Sequence, residues 1–206
     1  MDGLNYVVHL FHRGGFVMYP LLVFSLVTVA IAAERFQYYR ANQKGAIKFF
    51  NTVYELLTHN QWGDAKALCM NTDTAMSRII YAGLVHEGQP KSMQTAFEAQ
   101  MSLESIHFRR YMDYLSAIVT LAPLLGLLGT VVGMIGTFSV LDDGGGAMAI
   151  TGGIGEALVA TATGLLVAVL AFCVYTFFSH QMNTHLSDAE KLCLNILHVE
   201  AEQGGR

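Results

Sequence analysis

The sequence predicts an all-α integral membrane protein with three transmembrane helices, the second and third of which extend into the cytoplasm. Of its 206 residues, 53% are hydrophobic and only 14% are charged, and the mean hydropathy of +0.41 is high for a soluble domain. Three stretches, 14–33, 114–141 and 154–179, are almost free of charged residues. Each reaches the roughly 20 residues that a helix needs to cross a bilayer.

The first span is predicted at residues 14–33, after a short periplasmic lead of residues 1–13. A cleaved signal peptide is the competing interpretation, because Ala30 and Ala32 resemble the small residues of a cleavage site. The amino end carries Asp2 and little positive charge, whereas Arg35 and Arg40 follow the span. This charge pattern favours an uncleaved helix.

The distribution of Lys and Arg predicts the orientation in the membrane. Nine of the twelve basic residues lie between Arg35 and Arg110, and none lies between Asp113 and His180. Because cytoplasmic loops carry the excess of basic residues, residues 34–113 are expected in the cytoplasm. The amino terminus is then periplasmic and the carboxyl terminus cytoplasmic.

The cytoplasmic region, residues 34–113, is predicted to be helical. Gly88 and Pro90 mark a break, and no Pro or Gly follows until Pro123, so one helix is expected to run from Pro90 into the second span. Its apolar side is predicted to be Met93, Phe97, Met101, Phe108 and Leu115, and an earlier apolar stripe is Ile47, Phe50, Tyr54 and Leu57.

The second span, residues 114–141, and the third, residues 154–179, are predicted to form an antiparallel hairpin around a periplasmic loop of residues 142–153. The loop carries acidic residues and no Lys or Arg, which suits the outer side. The tail, residues 180–206, is predicted to be a cytoplasmic extension of the third helix. Its apolar stripe is Met182, Leu186, Ala189, Cys193 and Ile196.

Both hairpin helices carry a face of small and hydroxyl-bearing residues. At about 100° of rotation per residue, Thr130 and Thr137 share one face of the second helix, and Thr161 lies on a similar face of the third. Two interpretations remain open, since such residues either pack helices closely or line a pore. The small residues concerned are Gly126, Gly129, Gly133, Gly136, Ala157, Gly164 and Ala168.

Glu156 is an acidic residue in the first turn of the predicted third span. A carboxylate there is favoured by the helix dipole, which is the structural explanation. The functional explanation is that it sets the electrostatics of an ion path, because an ionisable residue at a membrane boundary is a functional candidate. Neither hairpin helix carries a protonatable side chain in its middle, so a proton carrier would have to come from another chain.

Several classes of function lack any sequence signal. There is no basic stripe with interleaved aromatics for nucleic acid, and no metal-ligand cluster, cofactor motif or nucleophile with a paired base. We therefore expect no enzyme, no cofactor and no metal. The three cysteines, Cys69, Cys173 and Cys193, are expected to be free thiols.

Two segments carry a family resemblance: APLLGLLGTVVGMIGTF, beginning at Ala122, and GGIGEALVATATGLLVAV, beginning at Gly152. They closely resemble the two signature helices of the MotA/TolQ/ExbB proton-channel family, and within it the ExbB/TolQ branch, with ExbB preferred. The resemblance is strong over residues 122–168 and weaker in the first helix and around residues 63–83. Leu170 stands where many relatives have Pro, and Thr176 where they often have Asn.

The resemblance implies a subunit of an energy-transducing motor in the bacterial inner membrane. Such subunits form a ring, a pentamer in the family, around the transmembrane helices of ExbD/TolR-like proteins, whose membrane Asp carries the proton. The motor acts on a periplasmic partner such as TonB or TolA. Two alternatives remain: a structural membrane scaffold without ion flux, and a flagellar-stator subunit like MotA, although MotA-like chains have four spans.

Overall fold

The computed structural model describes residues 15–43, 46–142 and 147–204, and all regular secondary structure in that part of the chain is α-helical. This confirms the predicted all-α class. The helices are α1 (Met18–Gln43), α2 (Ala46–Thr58), α3 (Trp62–Met70), α4 (Ala75–Leu84), α5 (Pro90–Arg109), α6 (Met112–Asp142) and α7 (Ala147–Gly204).

Three of these helices, α1, α6 and α7, are long and apolar enough to cross a membrane, which confirms the three predicted spans. α7 is continuous over 58 residues, so the carboxyl-terminal tail continues the third span as expected. α7 also begins earlier than predicted, because Ala147 and Met148 are good helix formers, and residues 147–153 of the predicted loop are helical. Residues 143–146 and the lead of residues 1–13 lie outside the described part.

The prediction of one unbroken helix from Pro90 into the second span was wrong. α5 ends at Arg109 and Tyr111 adopts a left-handed φ of 67° before α6 begins at Met112. The guanidinium of Arg35, only 1% exposed, donates through Nη1 to the carbonyl oxygens of His107 (2.9 Å) and Phe108 (3.4 Å). A cation that binds these last carbonyls satisfies the end of a helix, so α5 stops there without a Gly or Pro.

The chain divides into two compact units. The span unit comprises residues 1–33 and 111–177, and the head unit comprises residues 34–110 and 178–206. The core of the span unit joins the start of α1 to the first half of α6 and to the middle of α7. It contains Val17, Met18, Leu21, Ile118, Ala122, Val167, Ala168 and Ala171.

The head unit has a core of its own, built from α2 to α5 and the end of α7. The predicted apolar sides of α5 and of the tail are confirmed, since Met93, Phe97 and Phe108 are buried, as are Cys193 and Ile196. The predicted stripe on α2 is confirmed in part, since Leu57 is buried and Phe50 packs against the core. The buried residues of α2 are Phe49, Val53 and Leu57, whereas Tyr54 is 39% exposed.

The buried carboxylate of Glu104 of α5 forms an ion pair with the partly exposed Arg78 of α4. Arg78 donates through Nε to Oε1 (2.7 Å) and through Nη2 to Oε2 (2.9 Å), and Gln100 donates to Oε1 at 3.1 Å. Burial alone would raise the pKa of Glu104. The hydrogen bonds and charge of Arg78 outweigh burial and hold that pKa below its ordinary value of 4.5.

Acid is therefore expected to weaken the head unit through Glu104. A carboxylate with a lowered pKa stabilises the fold fully above its ordinary pKa of 4.5, and the contribution is lost as pH falls through the folded-state value. Glu104→Gln should cost about 1–2 kcal/mol near neutral pH and should reduce the acid dependence of thermal unfolding below about pH 4.5. Glu98→Gln, an exposed acid on the same helix, is the control. An unchanged acid profile in Glu104→Gln would contradict the assignment.

Candidate functional site

The small faces of α6 and α7 pack against each other within one chain. A Cβ added at Gly129 would lie 2.5 Å from the Cβ of Ala160, and one added at Gly133 would lie 2.8 Å from the Cβ of Ala157. Both distances are shorter than a methyl contact allows. The absence of side chains at these positions therefore sets how closely the two helices approach.

At Gly164 the backbones of the two helices approach each other closely. A Cβ there would lie 2.6 Å from the carbonyl oxygen of Ala122 and 2.9 Å from the Cα of Gly126. Both neighbours are backbone atoms, which a side-chain rotation cannot move. Ala168 lies one turn further on and is buried in the core of the span unit. Gly136 differs from the others, since no described atom would lie within 4 Å of a Cβ at that position.

Three threonine hydroxyls of this hairpin donate hydrogen bonds to backbone carbonyl oxygens. Thr161 Oγ1 donates across the interface to the carbonyl oxygen of Gly126 at 2.7 Å. Thr130 Oγ1 donates within α6 to Leu127 at 2.6 Å, and buried Thr137 donates to Gly133 at 2.8 Å. A hydroxyl that donates one bond keeps lone pairs that can accept another, so each oxygen can still accept from water or an acid.

The hydrogen bond from Thr161 also fixes the relative depth of two predicted site residues. Its acceptor, Gly126, precedes Thr130 by about one helical turn, or about 6 Å along α6. Thr130 and Thr161 therefore lie at similar depths on the same side of the hairpin. Thr130 is half-buried, so its hydroxyl lies at the edge of the helix interface and not in its centre.

Glu156 is exposed and lies apart from the threonines. It lines a cavity of about 140 Å³ beside Phe16 and Val17 at the start of α1, with Leu128 and Val132 of α6 on the opposite wall. Thr130, Thr137 and Thr161 do not line this cavity. The structure thus places Thr137 and Thr161 at the α6–α7 interface, on different turns of the hairpin, and places Glu156 beside a separate cavity.

One residue of the interface was missed by the sequence analysis. Ala160 packs against Gly129, although the predicted face of α7 included only Ala157, Thr161, Gly164 and Ala168. The spacing of Ala157, Ala160 and Gly164 is that of a close-packed helix seam and could have indicated it. Within residues 15–43, 46–142 and 147–204, no group of three His, Cys, Asp or Glu side chains could hold a metal ion.

The hairpin of α6 and α7 is thus tightly packed and bears hydroxyl groups. Its helices carry no charged side chain in residues 114–141 and 157–179. Residues 71–191 match the family model described as the MotA/TolQ/ExbB proton channel family. The chain belongs to the MotA/TolQ/ExbB family. The match contains α4, α5, α6 and the greater part of α7, so both hairpin helices lie inside it.

Curated relatives place the chain in the ExbB/TolQ branch of the family. It is 38% identical over 161 residues to the putative biopolymer transport protein ExbB-like 3 of Synechocystis, covering 76% of this chain and 77% of that protein. Identity to ExbB-like 1 of the same organism is 34% over 171 residues, covering 80% and 67%. The biopolymer transport protein ExbB of Salmonella typhimurium is 26% identical over 208 residues, covering 90% and 80%.

Membership of this family and the three apolar helices identify a multi-pass inner-membrane protein with a proton-channel role in a complex that energises transport. The family is described as one of proton channels.

Proposed function

We propose that this protein is the ring-forming subunit of an ExbB-like motor that couples the proton gradient to work on a TonB- or TolA-like periplasmic partner. Several copies, five by analogy with the family, surround the single transmembrane helices of ExbD/TolR-like proteins. The observation that carries this proposal is the pair of threonine hydroxyls, Thr130 and Thr161, at similar depths in helices that have no Asp, Glu or His between residues 114 and 141 or between residues 157 and 179.

The chemistry of the hydroxyl group assigns different roles to this protein and to its partner. A threonine hydroxyl can donate, accept and position water, but it cannot hold a transported proton near neutral pH. An aspartic acid on the central helix carries the proton, and its protonated carboxyl donates to Thr Oγ1 while its ionised form accepts from ordered water. Thr137 and Glu156 lie closer to the outer end and set the polarity of the entrance. No described atom lies within 4 Å of a Cβ at Gly136, so this position leaves room for a neighbouring helix.

The proposal is tested by reconstitution with a co-expressed ExbD/TolR-like protein from the same organism. Native mass spectrometry in detergent should detect a ring of this chain with one or two copies of the single-span partner. Proteoliposomes that contain the complex should conduct protons down an imposed gradient, and those that contain this chain alone should not. A complex that assembles but conducts no protons would favour the scaffold alternative. A stable monomer that does not bind the single-span partner would contradict the ring.

The orientation of the spans is part of the same proposal. The Lys and Arg excess after α1 places residues 34–113 and 180–206 in the cytoplasm and the turn between α6 and α7 in the periplasm. In a background without Cys173, which is exposed, a single cysteine introduced for Asn5 or Gly145 should react with a membrane-impermeant maleimide from the periplasm. Reaction only after the inner face is opened would reverse the topology.

A further inference from the structure

Four aromatic rings of the head unit form a cluster at the end of α5. His185 of α7 stacks on Phe108 of α5, with ring centroids 5.8 Å apart and ring planes inclined by 7°. His185 also stacks on Tyr39 of α1 at 5.9 Å, and Tyr39 in turn stacks on Phe178 of α7 at 5.4 Å. All four residues belong to the head unit. The imidazole of His185 therefore joins α7 to both α1 and α5 within this unit.

One nitrogen of this imidazole has no hydrogen-bond partner. Nε2 of His185 is buried and neither donates to nor accepts from any described residue. The carbonyl oxygen of Phe108, a backbone acceptor of the cluster, already accepts from Arg35 Nη1 (3.4 Å) and from the Tyr39 hydroxyl (3.3 Å). In the neutral imidazole Nε2 can be the nitrogen without a proton, but in the imidazolium both nitrogens carry one. Protonation would therefore bury a charged donor that has no acceptor.

The side chains around the cluster do not compensate for such a proton. Tyr39 is a phenol and is neutral below about pH 9. Asp188, exposed on α7 itself, favours the protonated imidazole, but burial outweighs this charge and holds the pKa of His185 below its ordinary value of 6.5. The acids on α1 and α5 are already engaged in ion pairs, Glu34 with Arg35 and Glu104 with Arg78 of α4. The α4 side chains that line a small cavity beside His185 are the apolar Ala75, Met76 and Ile79.

We propose that His185 is a pH-sensitive contact, whose neutral imidazole holds α7 against α1 and α5 and whose protonation releases α7 from them within the head unit. On release, Nε2 leaves the aromatic stack and donates to water, which removes the cost of an unsatisfied charged donor. This response is a property of the head unit and requires neither an oligomer nor a partner chain. It makes the protein sensitive to the pH of the compartment that surrounds the head unit.

The loosening of α7 is expected below about pH 6.5. A histidine whose folded-state pKa is lowered stabilises the fold fully above its ordinary pKa of 6.5, and this contribution is lost as pH falls below that value toward the folded-state pKa. Glu104 responds only below its ordinary pKa of 4.5. A comparison of about pH 7.5 with about pH 5.5 therefore separates His185 from Glu104.

Amide hydrogen exchange of the full-length protein in detergent measures this local opening. Exchange of the α7 amides at residues 178–196, divided by the intrinsic exchange rate at each pH, should become at least about threefold faster between about pH 7.5 and about pH 5.5. The amides of α6 belong to the span unit and provide the internal reference, because their corrected exchange should not change.

Two variants that cannot titrate assign the effect to His185. His185→Phe keeps an aromatic ring in the stack, and His185→Gln keeps a polar side chain. In each variant the acid-induced acceleration should fall below about 1.5-fold. His180→Gln and His198→Gln replace exposed histidines of the same helix and should retain the full acceleration.

Three results would overturn the proposal. The first is equal corrected exchange of the α7 amides at both pH values in the unmodified protein. The second is an acid-induced acceleration that persists in both His185→Phe and His185→Gln. The third is an equal acceleration in α6, which would show that acid loosens the whole protein and not the contact at His185.

Discussion

Replacing Thr130 and Thr161 together with Val is expected to abolish proton flux through the reconstituted complex while leaving its expression and assembly intact. Valine is close to threonine in shape but lacks the hydroxyl, so the packing of α6 against α7 is retained. The structural loss is small, because Thr161 gives up one hydrogen bond to Gly126, and such bonds contribute about 0.6–1.7 kcal/mol in a membrane. Flux is measured with a pH-sensitive dye in proteoliposomes and should fall by at least about tenfold.

Thr163 provides the matched control for this experiment. It lies on α7 two residues from Thr161, and its hydroxyl donates to Val159 of the same helix at 2.8 Å. Thr163→Val makes the same chemical change without touching the α6 interface, so flux should be nearly unchanged. Thr161→Ser, which keeps the hydroxyl, should be mild. Normal flux in the Thr130→Val, Thr161→Val double variant would eliminate the hydroxyl role and leave these residues as packing elements.

The largest loss of stability is expected from Gly164→Ala. The added methyl group would lie 2.6 Å from the Ala122 carbonyl oxygen and 2.9 Å from the Gly126 Cα, so the hairpin would have to open along its length. Overpacking of this kind costs about 1–3 kcal/mol, and the displaced helices would also impair assembly. Thermal unfolding in detergent measures the first effect, and native mass spectrometry measures the second.

Substitutions at two other glycines of the same helices are expected to have smaller effects on stability. A Cβ at Gly126 would lie 3.0 Å from the Thr161 Cα, so Gly126→Ala should be less damaging than Gly164→Ala. No described atom lies within 4 Å of a Cβ at Gly155, and Gly155→Ala should leave the unfolding temperature of the isolated subunit unchanged or slightly raised. Equal effects at all three positions would show that the contacts between α6 and α7 do not determine the stability of the hairpin.

The sequence was sufficient to predict the spans and the faces of the hairpin helices. Charge-free length identifies a membrane helix, and helical periodicity places Gly126, Gly133 and Thr137 on one side whatever they contact. It could not decide between packing and pore lining, because both require small residues. The choice between packing and pore lining depends on distances across the hairpin, such as the one between Gly164 and Ala122. Helical periodicity does not give these distances.

Features that depend on contacts between distant residues were not predictable. The end of α5 is set by Arg35, 72 residues away from the His107 carbonyl that it binds, and no Gly or Pro marks the position. Glu200 appeared in the sequence as one more charged residue of a polar tail. Its burial and its contact with Gly88 arise from packing among three segments of the head unit.

Pro123 lies inside α6, so the backbone hydrogen bonding of this span is interrupted at one position, unlike that of the other two spans. Proline has no amide hydrogen, so the carbonyl oxygen of Val119, one turn earlier, lacks its usual helical partner. α7 contains no proline over its 58 residues, and Pro20 of α1 falls in the first turn, where the amide is unbonded in any helix. Bending of the span unit therefore requires the least free energy in α6. Among the membrane-embedded residues, amide hydrogen exchange should be fastest in α6 near Pro123. This position is next to Ala122, whose carbonyl oxygen lies against Gly164.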